Sequence, residues 1–131
     1  MLGLDTNVLV RFLVRDDAEQ FERARQLIRR EVGRGEPVLV SLLVLLETEW
    51  VLRSRYALPK ADILAVLSSL LEAAELEFKD EGAIEEALFT WRDSNAQFAD
   101  CLIGARHRQL GCRATATFDS KAAKLLGFVA A

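Results

Sequence analysis

Histidine, cysteine and proline are scarce in this chain of 131 residues, which has one, two and two of them. One histidine and two cysteines cannot supply the four-ligand cage of a structural zinc site. His107 has no second histidine, which excludes a mechanism that uses two imidazoles, and we expect it on a solvated helix surface. Cys101 and Cys112 are expected to be reduced packing residues, as is usual for cysteines in the cytosol.

Long apolar runs and a large net charge are also absent. No stretch approaches the roughly 20 apolar residues of a membrane span, and no basic segment with a cleavage site marks the N-terminus for export. We therefore expect a cytoplasmic protein. The net charge of −3 argues weakly against nucleic-acid binding through general positive charge. If four of the 20 acidic residues share a metal, however, the other 16 balance the 17 basic residues.

The composition that remains, 51% apolar and 28% charged, is typical of a globular domain. The length predicts one domain over residues 1–131. Four short apolar segments have the character of strands: 1–4, 37–40, 76–79 and 113–118. They alternate with helical patterns, which predicts an α/β fold of three layers, with a central parallel sheet of four to five strands flanked by helices. Val129 and its neighbours are a candidate edge strand.

The helical patterns are recognised by apolar spacing and by capping residues. They cover six segments: 7–14, 16–31, 42–56, 59–74, 81–92 and 98–110. Segment 42–56 is apolar nearly all round, so we expect a buried helix, with Ser41 as its N-cap and Trp50 in the core.

Four acidic residues stand out by their positions. Glu47 and Asp100 have no basic residue one helical turn away, whereas Glu49 has Arg53 at that spacing and is expected to form a solvated ion pair. Asp5 and Asp119 each end a predicted strand, where the sites of parallel α/β sheets lie. Distant arginines could satisfy any one of these acids, and spacing alone leaves that alternative open.

A shared cation would explain all four acids together. Clustered carboxylates repel one another unless a cation neutralises them. Oxygen ligands suit Mg²⁺ or Mn²⁺, and such ions activate water and stabilise the leaving oxygen in phosphodiester cleavage.

Four segments, in order, give the chain a family resemblance: LDTNVLVRFLV, LLETEWVLRSRY, FADCLIGA and TFDSKAAKLLGF. On them the chain resembles PIN-domain ribonucleases, specifically the VapC-type toxins of toxin–antitoxin pairs. The resemblance covers nearly the whole chain and implies a PIN-like fold and a metal-dependent endoribonuclease. It places catalysis and the binding of Mg²⁺ or Mn²⁺ on four residues: Asp5, Glu47, Asp100 and Asp119.

The resemblance also implies supporting residues and partners. Thr6 and Asn7 would orient the acids, although simple capping of a helix is an equal alternative. Thr117 would do the same, or it is an ordinary strand threonine. The implied partners are a small VapB-like DNA-binding antitoxin, an RNA substrate and a second copy of the chain, with no membrane. The segment from Asn95 to Gln97 departs from the family, where many relatives carry glycine or another acid.

Two other functions are compatible with this fold class. A phosphoryl-acceptor domain of the haloacid dehalogenase type would need an acid at position 7, where this chain has Asn7. A catalytically silent binding module would keep the fold and lose the acids, but all four are present. A metal-dependent RNA cleavage assay separates the silent module from the ribonuclease.

Overall fold

The structure is a computed structural model that describes all residues, 1–131. In chain order, its elements are β1 (Leu2–Gly3), α1 (Thr6–Val14), α2 (Ala18–Gly33), β2 (Val38–Leu39), α3 (Leu42–Ser54), α4 (Lys60–Glu72), β3 (Leu76–Glu77), α5 (Glu81–Arg92), α6 (Phe98–Gln109), β4 (Thr115–Thr117), a 3₁₀ turn (Ala122–Lys124) and β5 (Phe128–Ala130). None of the helices combines the length and the apolar composition that a membrane crossing requires.

The chain divides into two compact units, an N-terminal unit of Met1–Lys79 and a C-terminal unit of Asp80–Ala131. The N-terminal unit holds a parallel sheet in the order β1-β2-β3, with Val38 opposite both Leu2 and Leu76. Val38, Leu45, Ile63 and Leu67 are almost completely buried in this unit. Because parallel strands need long connections, helices link each strand to the next.

Side-chain caps fix where the helices of the N-terminal unit begin. Asp17 Oδ1 accepts the backbone N–H of Gln20 at 3.0 Å and starts α2. Ser41 Oγ accepts the backbone N–H of Val44 at 3.3 Å and starts α3, which confirms the predicted cap. Such caps satisfy donors that the first helical turn leaves free.

The C-terminal unit is built on the packing of α5 against α6 and on the parallel pair β4–β5. The rings of Trp91 and Phe98, one from each helix, lie 5.2 Å apart between centroids. Cys101 is buried in α6 and Cys112 is exposed, and neither forms a disulfide. The packing role expected of Cys101 is thus confirmed, and the same role for Cys112 is wrong.

The fold class is α/β, as predicted, but the strands are arranged differently from the expected single sheet. A three-stranded sheet lies in the N-terminal unit and a separate two-stranded pair in the C-terminal unit, with parallel pairing throughout. No strand exceeds three residues, so each offers few ladder hydrogen bonds to a neighbour. A single domain over residues 1–131 stays a prediction.

Helix α3 also differs from its prediction, because only one of its faces is buried. The buried positions are Leu45, Thr48, Glu49 and Leu52, which follow the spacing of a single helix face. Leu43 is 79% exposed and Trp50 is 50% exposed, so the expectation of Trp50 in the core is wrong. Glu49 is 2% exposed and pairs with Arg53 at 2.9 Å, which replaces the expected solvated pair by a buried carboxylate.

Candidate functional site

Asp119 is held in a turn directly after β4. Its Oδ1 accepts the backbone N–H groups of Lys121 at 2.8 Å and of Ala122 at 3.0 Å, and Oδ2 takes part in neither bond. The donor of Ala122, then that of Lys121, holds the pKa of Asp119 below its ordinary value of 3.8, and the nearby Lys121 charge adds to the effect. Asp119 is therefore ionised at neutral pH.

Thr117 supports the same turn from the end of β4. Its hydroxyl oxygen accepts the backbone N–H of Asp119 at 3.0 Å. This contact fixes the backbone from which the carboxylate projects. It is compatible with the orienting role predicted for Thr117.

Asp100 lies in the first turn of α6 and is half-buried. Its Oδ2 accepts the backbone N–H of Gln97 at 3.3 Å, so the carboxylate closes the loop onto the helix start. Negative charge in the first turn of a helix is favoured by the helix dipole. The helix start thus stabilises the charge of Asp100, although no basic residue lies one helical turn away.

A cavity of about 300 Å³ in the C-terminal unit contains both of these acids. Its lining consists of Asn95, Ala96, Gln97, Asp100, Asp119, Ser120 and Lys121. The structure therefore brings together two of the four predicted acids, which lie 19 positions apart in the sequence. The cavity also contains a lysine, a hydroxyl and two amides, which are groups that bind phosphates and base edges.

Asp5 and Glu47 belong to the N-terminal unit, and both are exposed. Asp5 is the N-cap of α1, and its Oδ1 accepts the backbone N–H of Thr6 at 2.8 Å. Capping at this position is thus carried out by Asp5 itself, while Thr6 is buried. Glu47 lies on the open face of α3, between Leu43 and Trp50.

Asp100 and Asp119 have donor atoms of the kind that Mg²⁺ or Mn²⁺ requires. Carboxylate oxygens are suitable ligands, and Asp100 and Asp119 each use only one oxygen in the hydrogen bonds described above. These two residues fit such an ion in the chemistry of their donors. In neither unit, however, does a group of three or more His, Cys, Asp or Glu side chains gather for a metal. The assignment of four acids to one site remains a prediction.

A second cavity, of about 420 Å³, lies in the N-terminal unit between α1 and α2. It is lined by Asn7, Val8, Arg11, Gln20, Arg23, Ala24, Gln26, Leu27 and Arg30 and contains no carboxylate. Arg11 is occupied by Asp16, Gln20 and Tyr56 at 2.6 to 3.2 Å. Asn7 lies in this cavity, and its predicted orienting role stays a prediction.

The basic residues near the end of α6 have partners of their own. His107 lies on α6 and is half-buried, and its Nδ1 lies 2.9 Å from Thr115 Oγ1, so it has a partner next to β4 in addition to solvent. Arg106 pairs with Asp80 at 3.5 Å and Arg108 with Glu86 at 2.7 Å. These arginines are part of the ion-paired surface of the C-terminal unit.

Sequence reasoning missed Ser120 and Lys121 as members of the carboxylate cavity. Their position directly after Asp119 could have indicated this. In a turn whose backbone N–H groups bond to the aspartate, the next two residues lie beside the same cavity. Asn95 and Gln97 were recognised only as a departure from the family pattern.

Comparison with known proteins gives two results. The PIN domain family matches residues 3–126 of the chain. A protein named VapC ribonuclease from Aquifex aeolicus (strain VF5) is 26% identical over 122 residues, which cover 93% of this chain and 90% of that protein.

Proposed function

Because the chain belongs to the PIN domain family, we propose that it is a metal-dependent endoribonuclease that acts in the cytoplasm as the toxin of a toxin–antitoxin pair. The observation that carries the proposal is the cavity shared by Asp100 and Asp119, which also contains Lys121. The similarity to a protein named VapC ribonuclease, over nearly the whole length of both, supports RNA as the substrate.

Asp100 and Asp119 would hold Mg²⁺ or Mn²⁺, together with Asp5 and Glu47. When bound, such an ion supplies charge stabilisation at the phosphate and makes water a better nucleophile. The lowered pKa of Asp119 keeps this ligand deprotonated at neutral pH. No competing proton then has to be displaced from it.

The other residues of the cavity act on the substrate. The Lys121 ammonium group attracts a phosphate of the RNA as a point charge. The backbone hydrogen bonds to Asp119 and Asp100 hold the two carboxylates in place before substrate arrives, so little reorganisation is needed.

Substitution of the acids tests the enzymatic part of the proposal. We expect Asp100→Asn and Asp5→Asn to lower the rate of RNA cleavage by at least ~10³, as when a metal's charge stabilisation is lost. The matched control is Asp93→Asn, an exposed aspartate of the adjoining loop that lies outside the cavity. EDTA should abolish cleavage by the parent. Cleavage at the parent rate by Asp100→Asn would refute the assignment and favour a silent binding module.

The toxin part of the proposal concerns growth of the host cell. The implied partner is a small VapB-like antitoxin, and a homodimer is the implied assembly. Expression of the chain alone should arrest growth, and co-expression of the neighbouring antitoxin should restore it. Cells that make Asp5→Asn protein at the same level are the control, and equal growth of both cultures contradicts a toxin.

A further inference from the structure

The loop before α6 is pinned on both sides of Ala96. The backbone N–H of Ala96 donates to Ser94 Oγ at 2.8 Å, and the backbone N–H of Gln97 donates to Asp100 Oδ2 at 3.3 Å. Ala96 itself is buried, with 6% of its surface exposed. The loop is therefore anchored by its central residue and has a defined shape.

The residues on either side of Ala96 are both amides. Asn95 and Gln97 are exposed, and both line the cavity that contains Asp100 and Asp119. The Asn95 side chain has no hydrogen-bond partner within the protein. An amide presents one donor and one acceptor side by side. The anchored loop thus places the Asn95 amide next to the acids, while the Gln97 side chain also takes part in a capping box with the backbone of Asp100.

We propose that Asn95, assisted by Gln97, reads the base of one nucleotide beside the phosphate that is cleaved. An amide pairs bidentately with a base edge that offers one acceptor and one donor, as adenine does with N7 and N6. A cavity of about 300 Å³ has room for a single unstacked nucleotide. Sequence-specific recognition of RNA usually targets such splayed single-stranded bases.

This inference rests on the proposed ribonuclease function and deepens it. The carboxylates and Lys121 contact groups that every nucleotide has, so they carry no sequence information. The paired donor and acceptor of an amide can distinguish bases, whereas the Ser120 hydroxyl can bond to either kind of base edge. Base preference and cleavage rate are therefore expected to respond to different residues.

Cleavage of a randomised single-stranded RNA library, with the cut ends sequenced, tests the inference. The parent should prefer adenine at one position next to the cut. Asn95→Ala should reduce that preference by about tenfold, the usual value of one bidentate pair. Asn95→Asp can accept but not donate, so it should shift the preference toward cytosine, whose N4 is a donor. Gln109→Ala removes an exposed amide at the end of α6, outside the cavity, and should keep the parent preference.

A binding experiment separates failure of this inference from failure of the proposed function. Asp5→Asn protein is titrated into labelled oligonucleotides that carry adenine, cytosine, guanine, uracil or no base at one position. The inference is supported if Asp5→Asn protein binds the adenine RNA more tightly than the other RNAs and the double variant Asp5→Asn, Asn95→Ala does not. This holds even if the parent cleaves nothing. Equal affinity for all five RNAs overturns it, as does a library preference that Asn95→Ala leaves intact.

Discussion

At the scale of single residues, Asp119 combines a structural and an electrostatic role that one substitution can separate. In Asp119→Asn the side-chain oxygen can still accept both backbone N–H groups, so the melting temperature should stay close to the parent value while cleavage is lost. Asp119→Ala removes the acceptor and should lower the melting temperature.

The pH dependence of that difference follows from the depressed pKa of Asp119. A carboxyl whose folded pKa is lowered stabilises the fold above its unfolded pKa, near 3.8, and loses this contribution as the pH falls through the folded value. The gap in melting temperature between the parent and Asp119→Ala should thus be constant from pH 7 to pH 5 and should shrink below about pH 4. Thermal melts from pH 7 to pH 2.5 measure it, and a gap that grows in acid would contradict the assignment.

The buried carboxylate of Glu49 gives a second prediction. Arg53→Ala leaves this carboxylate without its ion-pair partner, so we expect a loss of about 2 kcal/mol of unfolding free energy, below the range for fully buried pairs because Arg53 is 45% exposed. Urea unfolding measures the loss. Arg25→Ala breaks the pair with Glu22, whose side chain is 42% exposed, and is the control, which should change stability far less. Equal effects in the two variants would contradict the burial of Glu49.

Glu49 and Trp50 also show what helical spacing predicts and what it leaves open. The distance of four residues between Glu49 and Arg53 correctly predicts their ion pair. It does not determine which side of an apolar helix faces the core, because nearly every face of α3 has apolar residues. The packing of α3 against α1 and α4 decides this, and it places Trp50 outside and Glu49 inside.

At the scale of elements, the contact between α6 and β5 depends on the absence of a side chain. A Cβ added at Gly104 would overlap Cε1 of the Phe128 ring. Gly104→Ala should therefore lower the unfolding free energy by about 1–2 kcal/mol, since the cost of overpacking exceeds the gain in helix propensity.

The sign of this effect should reverse when the ring is removed. In a Phe128→Ala background, Gly104→Ala should stabilise the protein by up to about 1 kcal/mol through helix propensity alone. Gly33, at the end of α2, has no atom within 4 Å of an added Cβ, so Gly33→Ala should cause no loss of stability. A destabilising Gly104→Ala in both backgrounds would show that the ring is not the obstacle.

Helices were predictable from the sequence at this scale, whereas the sheets were not. All six helical segments are present, because caps such as Asp17 and Ser41 and the apolar spacing are local signals. The strands are two or three residues long, and which strands pair depends on contacts far apart in the chain. The sequence of a short apolar segment does not determine which strand it pairs with. One sheet was therefore predicted, whereas the structure has two.

At the scale of the whole molecule, metal binding should raise the stability of the folded protein and therefore its melting temperature. An ion that binds only the folded state stabilises it in proportion to the logarithm of its concentration, by about 2.7 kcal/mol at 100 times Kd. We expect Mn²⁺ to raise the melting temperature of the parent, Asp100→Asn to reduce the rise, and Asp93→Asn to retain it. If no shift occurs in the parent at millimolar Mn²⁺, the four acids do not form a metal site.

The site as a whole was predictable only in part. Asp100 and Asp119 were selected because a helical acid without a local cation and an acid after a strand both lie where α/β sites form, and they do share a cavity. Asn95 and Lys121 line the same cavity because of the turns around them. Residue spacing along the chain does not predict turn geometry of this kind. The roles of Asp5 and Glu47 stay predictions that the cleavage assays test.

The very short strands affect what circular dichroism and hydrogen exchange should measure in solution. Since no strand is longer than three residues, nearly all regular backbone hydrogen bonds belong to helices. A far-ultraviolet circular dichroism spectrum should therefore resemble that of an all-helical protein, although the fold is α/β. In native-state hydrogen exchange, the most slowly exchanging amides should come from the buried middles of α3, α5 and α6, where tertiary packing protects the helical bonds, and not from the strands.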